Sequence, residues 1–218
     1  MDLAGKTMLA QQLGRLKQVS RVDEIVVATT TNMTDDPVID VAEREGVRWY
    51  RGSEQDVLSR YDGAARESGA DVVVRVTSDC PLIDPGVIAD VIEALTFDAS
   101  ASDYSSNVVQ RTYPRGLDTE ALFADTLFRV SRMARSASAR EHVTHFILVE
   151  HPALFLVQSV TDAEDNSDLR WTVDFREDLE LVRRIYSDLG LSERNVAYRE
   201  IVQHMREHPE ISKMNAGF

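Results

Sequence analysis

The stretch Asp71-Val72-Val73-Val74-Arg75-Val76-Thr77-Ser78-Asp79-Cys80-Pro81-Leu82-Ile83-Asp84-Pro85 decides how this chain reads. A run of β-branched residues marks a buried strand. It ends in two carboxylates and two prolines, and a helix-period pattern follows at Val87, Ile88, Val91, Ile92 and Leu95. Asp84 caps that helix, with Pro85 in its first turn. Asp79 lies too early to cap the same helix. In open α/β sheets, ligands bind beyond the carboxyl ends of the strands. An aspartate there is well placed to hold a divalent cation on a phosphorylated substrate.

Working outward, strand-like and helix-like segments alternate. Leu9, Leu13 and Leu16 give a helix over 8–19, and the run EIVVAT at 24–29 gives a strand. After a polar loop, Asp36-Pro37 opens a helix to about 45, and 47–51 is a short strand. Ser53, with Asp56 three positions on, caps a helix through about 67, and Gly69 closes it. Downstream, 100–115 is loop-rich and 117–123 reads as a strand. Helices are expected over 126–134 and 139–150, and strands over 154–160 and 169–173. A helix opened by Asp174 carries Leu179, Leu181, Val182, Ile185 and Tyr186, and the last helix covers 198–208. The repeated strand-then-helix order predicts βαβ units. The expected fold is a three-layer α/β sandwich around a mostly parallel, doubly wound sheet. No linker or repeat interrupts the chain, so 1–218 is expected to form a single domain.

Composition narrows the function. With 43% hydrophobic residues, the 218-residue chain can bury a sizeable core. No apolar run reaches membrane-span length, so no membrane partner is expected. The single cysteine, Cys80, excludes an internal disulfide framework and fits a reducing cytoplasm. A net charge of -13 argues against nucleic-acid binding, which depends on neutralising phosphates with Lys and Arg. A nucleotide substrate is compatible with that charge if carboxylates hold Mg²⁺ and basic groups offset the rest.

A second informative stretch is Arg170-Trp171-Thr172-Val173-Asp174-Phe175-Arg176-Glu177-Asp178-Leu179. Asp174 and Glu177 match a capping box, with Asp in place of Ser or Thr. The functional reading is that Asp174 and Asp79, both at strand ends, converge on one Mg²⁺ ion. Local sequence leaves both open.

Six segments occur in one order: GSEQDVLSRY (52–61), TSDCPLIDP (77–85), DYSSN (103–107), TYPRGLDTE (112–120), REHVT (140–144) and WTVDFREDLELV (171–182). Together they resemble the cytidylyltransferases of the spore coat polysaccharide biosynthesis protein F type, relatives of acylneuraminate and ketodeoxyoctonate cytidylyltransferases. The resemblance covers nearly the whole chain and implies a nucleotide-diphospho-sugar transferase-like fold. It implies transfer of CMP from CTP to a sugar or sugar acid, in surface polysaccharide biosynthesis. A sugar hydroxyl would attack the α-phosphate and expel pyrophosphate, with Mg²⁺ as cofactor. Under this resemblance Asp79 and Asp174 are the catalytic metal ligands. Lys6, Thr29, Ser53, Asp56, Arg60 and Ser78 fall on the nucleotide side. Asn107, Arg115, Asp118, Glu120 and His142 are candidates for the acceptor pocket. Arg115 suits a sugar carboxylate or a phosphate, or is a solvated loop residue. Thr29 to Thr31 either contact the base or are loop chemistry. Related cytidylyltransferases are often dimers, so the resemblance allows a homodimer, while the sequence itself does not fix the oligomeric state.

One departure stands out. Members of the family open with a strand and a loop of the form ARxGSxRLPGK, which wraps the nucleotide. This chain begins Met1-Asp2-Leu3-Ala4-Gly5-Lys6, matching a later segment of theirs. The expectation is a mis-assigned start or a truncated copy. The alternative is a non-catalytic nucleotide-binding or interaction module. In a doubly wound sheet the first strand is central, so its loss would leave two neighbours with unpaired ladder groups.

Three other signals carry less. His204 to His208 spells H-x-x-E-H, but Pro209 ends the helix and no third ligand follows. His142 and His145 lack partners to complete a metal set. Cys80 and Trp171 read as packed residues rather than reactive ones.

Overall fold

The computed structural model describes residues 1–97 and 102–215. The first two positions of the loop-rich 100–115 segment lie outside them. A short antiparallel hairpin of β1 (Asp2–Leu3) and β2 (Lys6–Thr7) leads into α1 (Met8–Leu16), which Thr7 caps at the Ala10 N–H. There follow β3 (Val26–Thr30), α2 (Asp36–Arg44), β4 (Arg48–Gly52), α3 (Val57–Ser68), β5 (Val72–Arg75) and α4 (Pro85–Thr96). As expected, Asp84 caps α4, accepting from Gly86 N–H at 2.8 Å and Val87 N–H at 3.1 Å, and Gly69 ends α3 in the left-handed region. The cap of α3 is Asp56 itself, which accepts from Ser59 N–H; Ser53 instead accepts from Asp56 N–H. The sequence reading had this cap three residues early.

The second half carries β6 (Tyr104–Ser106), β7 (Glu120–Phe123), α5 (Ala124–Met133), α6 (Ala137–Glu141), β8 (Val157–Ser159), α7 (Arg176–Leu189), α8 (Tyr198–Glu207) and α9 (Pro209–Ser212). The helix expected over 139–150 is broken. Val143 takes φ +51°, a region β-branched residues avoid, and only a π-type turn at Phe146–Glu150 follows. The strand expected over 169–173 reduces to one parallel bridge between Arg115 and Arg170. Nor does Asp174 cap α7: the helix starts at Arg176, and Asp178 accepts from the N–H groups of Asp174 and Phe175.

β3 and β4 pair in parallel, and β5, β7, β6 and β8 form a second ladder. Within it β7 runs antiparallel to both β5 and β6, while β6 and β8 are parallel. The sheet is therefore mixed, with a reversed strand at its centre. Helices cover both faces, and the side-chain alternation of β5 and β7 shows why. Val73 and Leu122 pack with Leu58, Leu127 and Phe146 on the α3 and α5 side. Val72, Val74, Ala121 and Phe123 pack with Val91 and Leu95 of α4 on the other. α1 and α2 pack together over Val27 through Leu13 and Val41, and Leu16 links α1 to Ile88 and Ile92 of α4. A further cluster gathers α7 and α8 around Trp171, which is fully buried as expected, with Leu3, Leu82 and Leu117. Each such side chain contributes roughly 1.5–3 kcal/mol by its burial.

Candidate active site

Three segments meet at one rim of the sheet. The first is 76–80, which follows β5. The second is 111–119, which precedes β7, and since Arg75 stands opposite Glu120 in the ladder, the two share an end of the sheet. The third is 169–174, ahead of α7. Val173 N–H donates to the Asp79 carbonyl at 2.9 Å. Arg115 N–H donates to the Leu169 carbonyl at 2.9 Å, and Trp171 N–H to the Arg115 carbonyl at 2.6 Å. Gly116 makes the crossing feasible. It sits at φ +102°, and a β-carbon there would lie 2.8 Å from the Trp171 carbonyl carbon and 2.9 Å from the Thr172 nitrogen.

This junction gathers Asp79, Arg115, Asp118 and Asp174. Asp79 is half-buried, with Cys80 Sγ 3.4 Å from its Oδ1. Burial, with Asp79 adding to it, pushes the Cys80 thiol up, which fits a packed residue rather than a nucleophile. Asp174 is exposed and accepts from Arg170 at 2.6 Å. Arg115 is exposed, and Asp118 is held by a bidentate pair with Arg111 at 2.6 and 2.8 Å. Asp79 and Asp174 are hard oxygen donors of the kind Mg²⁺ takes alongside substrate phosphates and water. Among the described residues no set of three or more His, Cys, Asp or Glu could hold a metal.

A second group lines a cavity of about 1170 Å³ between β3 and β5: Thr29, Arg60 and Ser78. Thr29 Oγ1 donates to Asp35 at 2.9 Å, and Arg60 donates to the Ser53 carbonyl at 2.9 Å. Asp56, besides capping α3, pairs with Arg140 at 2.5 Å. Burial would raise the Asp56 carboxyl, but the hydrogen bonds from Arg140 and Ser59 outweigh it and hold it below the usual range.

Other predicted residues stand apart. Lys6 is exposed on the N-terminal hairpin, and His142 is exposed at the end of α6. Asn107 is buried with its amide engaged by the Leu117 carbonyl and the Thr119 N–H, so it clamps the 107–119 loop. Glu120 is likewise buried, accepting from Tyr104 Oη and Thr144 Oγ1, each at 2.6 Å, and from Arg75. Both side chains brace the rim from beneath.

Several residues escaped the sequence reading. Gln12 Nε2 donates to the Thr77 carbonyl at 2.6 Å and the Cys80 carbonyl at 3.2 Å, pinning the Asp79 loop. Arg15 does the same for the Ile83 carbonyl at 2.6 Å. Their signal was available: polar residues beside the Leu9, Leu13 and Leu16 stripe fall on the buried face of α1. Asp178 is fully buried and accepts from Asn215 at 2.8 Å and Arg170 at 3.1 Å. It offered no local sequence signal beyond its place in the first turn.

A family model for cytidylyltransferases matches residues 1–204. The chain is 32% identical over 219 residues to an uncharacterized protein of Methanocaldococcus jannaschii, covering 100% of this chain and 87% of that protein. It is 31% identical over 191 residues to the spore coat polysaccharide biosynthesis protein SpsF of Bacillus subtilis, covering 86% of this chain and 77% of that one. Among solved structures it is similar to a cytidylyltransferase from Leptospira borgpetersenii, with a TM-score of 0.93, 28% identity, and coverage of 100% and 90% of the two chains.

Proposed function

This chain belongs to the cytidylyltransferase family, with the nucleotide-diphospho-sugar transferase fold, and from that premise we propose that it transfers CMP from CTP to a sugar or sugar acid for surface polysaccharide biosynthesis. The observation that best supports this reading is the hydrogen bond from Val173 N–H to the Asp79 carbonyl at 2.9 Å, which sets the Asp79 and Asp174 segments side by side. Asp79 and Asp174 would hold Mg²⁺. When bound, the ion neutralises charge developing on the phosphate oxygens.

The chain's own residues do the positioning. Thr29, Arg60 and Ser78 face the nucleotide, with Ser53 and Asp56 fixing Arg60 and the start of α3 and Lys6 a more distant candidate. Arg115 offers a guanidinium to an acidic acceptor. The pair of Arg111 and Asp118 fixes the acceptor-side loop, while Asn107 and Glu120 brace it. His142 remains a candidate contact from α6. The acceptor hydroxyl oxygen bonds to the α-phosphorus and gives its proton to solvent, as the bond to pyrophosphate breaks and pyrophosphate leaves with the electron pair. Holding the two in line supplies most of the acceleration.

The test is pyrophosphate release from CTP across a panel of sugars and sugar acids, with and without Mg²⁺. Asp79→Ala and Asp174→Ala should each lower turnover at least about a hundredfold with circular dichroism unchanged. Full activity in either variant removes it from the metal site. A second reading, non-catalytic nucleotide binding, is favoured by one observation: Arg170 already neutralises Asp174 at 2.6 Å. Calorimetric binding of CTP with no pyrophosphate released for any acceptor would select it.

A further inference from the structure

One residue reaches both the Asp79 loop and the 111–119 loop. Tyr198 opens α8, and its N–H donates to Asp84 Oδ2 at 2.8 Å. Asp84 closes the 77–85 stretch that carries Asp79, and its other oxygen caps α4. This buried carboxylate therefore serves two helix starts at once, where negative charge is favoured.

The side chain of Tyr198 turns the other way. Its ring meets Tyr113 with 5.4 Å between centroids, and both residues are buried. Its hydroxyl donates to Asp162, whose own N–H donates to Thr112 Oγ1 at 2.7 Å. Further along, Asn166 N–H donates to the Thr112 carbonyl, also at 2.7 Å. Thr112 is thus held by side chain and main chain together, next to Arg111 and its partner Asp118. The same stretch continues to Leu169, whose carbonyl accepts from Arg115 N–H at 2.9 Å.

The Tyr198 hydroxyl does more than pack, since phenylalanine would fill the same place against Tyr113. The Asp162 side chain is only 2% exposed, and Arg199 at 2.6 Å and Ala163 N–H at 2.6 Å share it with Tyr198. Burial would raise the Asp162 carboxyl, but the bonds from Tyr198 and Arg199 outweigh it and hold it below the usual range. Tyr198 therefore donates to a charged carboxylate, the stronger kind of hydrogen bond.

We propose that Tyr198 is a positioning residue for the acceptor: it sets how the 111–119 loop stands against the Asp79 loop, and so how Arg115 and the Arg111–Asp118 pair meet the acceptor. A contact displaced by about 1 Å can weaken catalysis strongly even when the displacement starts far from the chemistry. The consequence for the acceptor rests on the CMP-transfer reading, whereas the coupling between the loops can be measured without turnover.

The experiment is a double-mutant cycle of Tyr198→Phe and Thr112→Val. Tyr198→Phe keeps the ring and leaves Asp162 its bonds from Arg199 and Ala163, so the fold holds. In pyrophosphate release with an acceptor the wild type uses, each single variant should raise the acceptor KM about fivefold, the worth of one hydrogen bond, with the CTP KM changed less than about twofold. The double variant should go no further than the larger single, because both substitutions cut the same line of bonds. An unchanged acceptor KM, an equal rise in the CTP KM, or effects that multiply would overturn the proposal. Amide hydrogen exchange by NMR gives the second readout, with no substrate present. In Tyr198→Phe the Asp162 and Asn166 amides should exchange about tenfold faster, while the Ala124 amide, bonded to the Asp71 carbonyl, keeps its wild-type rate. Unchanged exchange at 162 and 166 overturns the proposal as well. A wild type that releases no pyrophosphate with any acceptor defeats the CMP-transfer reading instead, and exchange alone then decides whether Tyr198 couples the loops.

Discussion

Replacing Asp178 with alanine tests how the Asp174 segment is held. Asp178 is fully buried at the start of α7. Its carboxylate accepts from Asp174 N–H at 3.1 Å, Phe175 N–H at 3.0 Å, Asn215 Nδ2 at 2.8 Å and Arg170 at 3.1 Å. Asp178→Ala removes the carboxylate that accepts from two part-buried helix-terminal N–H groups and one of the two acceptors of the buried Asn215 amide, whose other is the Arg170 carbonyl at 3.2 Å. The two N–H groups lie partly open to water and each lost bond costs about 0.5–1.5 kcal/mol, the buried Asn215 amide up to about 1–3 kcal/mol, and the costs are not additive within one network. The Arg170 contribution is smaller than the ~3–5 kcal/mol of a broken buried pair, because Arg170 is partly exposed and retains Asp174. Losing a negative charge at the helix N-terminus adds roughly 0.3–1 kcal/mol. The expected loss is about 3 kcal/mol, or roughly 6–12 °C in Tm for a chain of this size. Urea unfolding followed by tryptophan fluorescence suits the measurement, since Trp171 is wholly buried a few residues away. Asp178→Asn keeps one acceptor oxygen and the shape, so it should lose about half as much. A loss below about 1 kcal/mol for alanine would refute the argument that this carboxylate organises the α7 end of the rim.

Gly116→Ala should cost about 1–3 kcal/mol from φ +102° alone and should also weaken turnover, because its β-carbon meets Trp171 and Thr172 backbone; an activity and Tm equal to wild type would contradict the crossing described here. Acid should weaken the fold through Asp178: burial raises its carboxyl, but the hydrogen bonds from Arg170, Asn215 and the Phe175 and Asp174 N–H groups outweigh that and hold it below the ordinary 3.8. Its stabilisation is therefore fully present above 3.8 and disappears as pH falls through the lower folded value, and urea midpoints should drop less steeply there in Asp178→Asn.

The strand-and-helix order from 24 to 97 was readable because each element carries its own periodicity and punctuation. Asp84 and Pro85 announce α4, Gly69 closes α3, and Val72 to Val74 announce a buried strand. Beyond residue 100 the determinants are long-range. The break at Val143 is accompanied by Thr144 bonding to Glu120, twenty-four positions away, and no local pattern signals it. The 169–173 segment has strand composition but extends along the 115 loop with one bridge, because Gly116 lets it approach there. At the candidate site, the aspartates at 79 and 174 were visible as carboxylates that helix capping did not require or did not fully explain. The structure assigns the α7 capping to Asp178, which frees Asp174 from that duty. The bracing of the rim by Gln12, Arg15, Asn107 and Glu120 was hidden, since hydrogen bonding to distant carbonyls leaves no periodic trace.

The reversal of β7 bears on how such a chain can diversify. In a wholly parallel sheet, only segments leaving the strands reach a given rim, so every residue there sits between a strand and the helix that must pack behind it. Turning one strand around lets a segment entering a strand reach the same rim, with Glu120 opposite Arg75 and the 111–119 loop ahead of it. That loop connects two neighbouring antiparallel strands, β6 and β7, rather than a strand and a helix. It can lengthen, shorten or change charge without re-registering a helix. One side of the rim can thus be rewritten for a new small molecule while Asp79 and its loop keep their place.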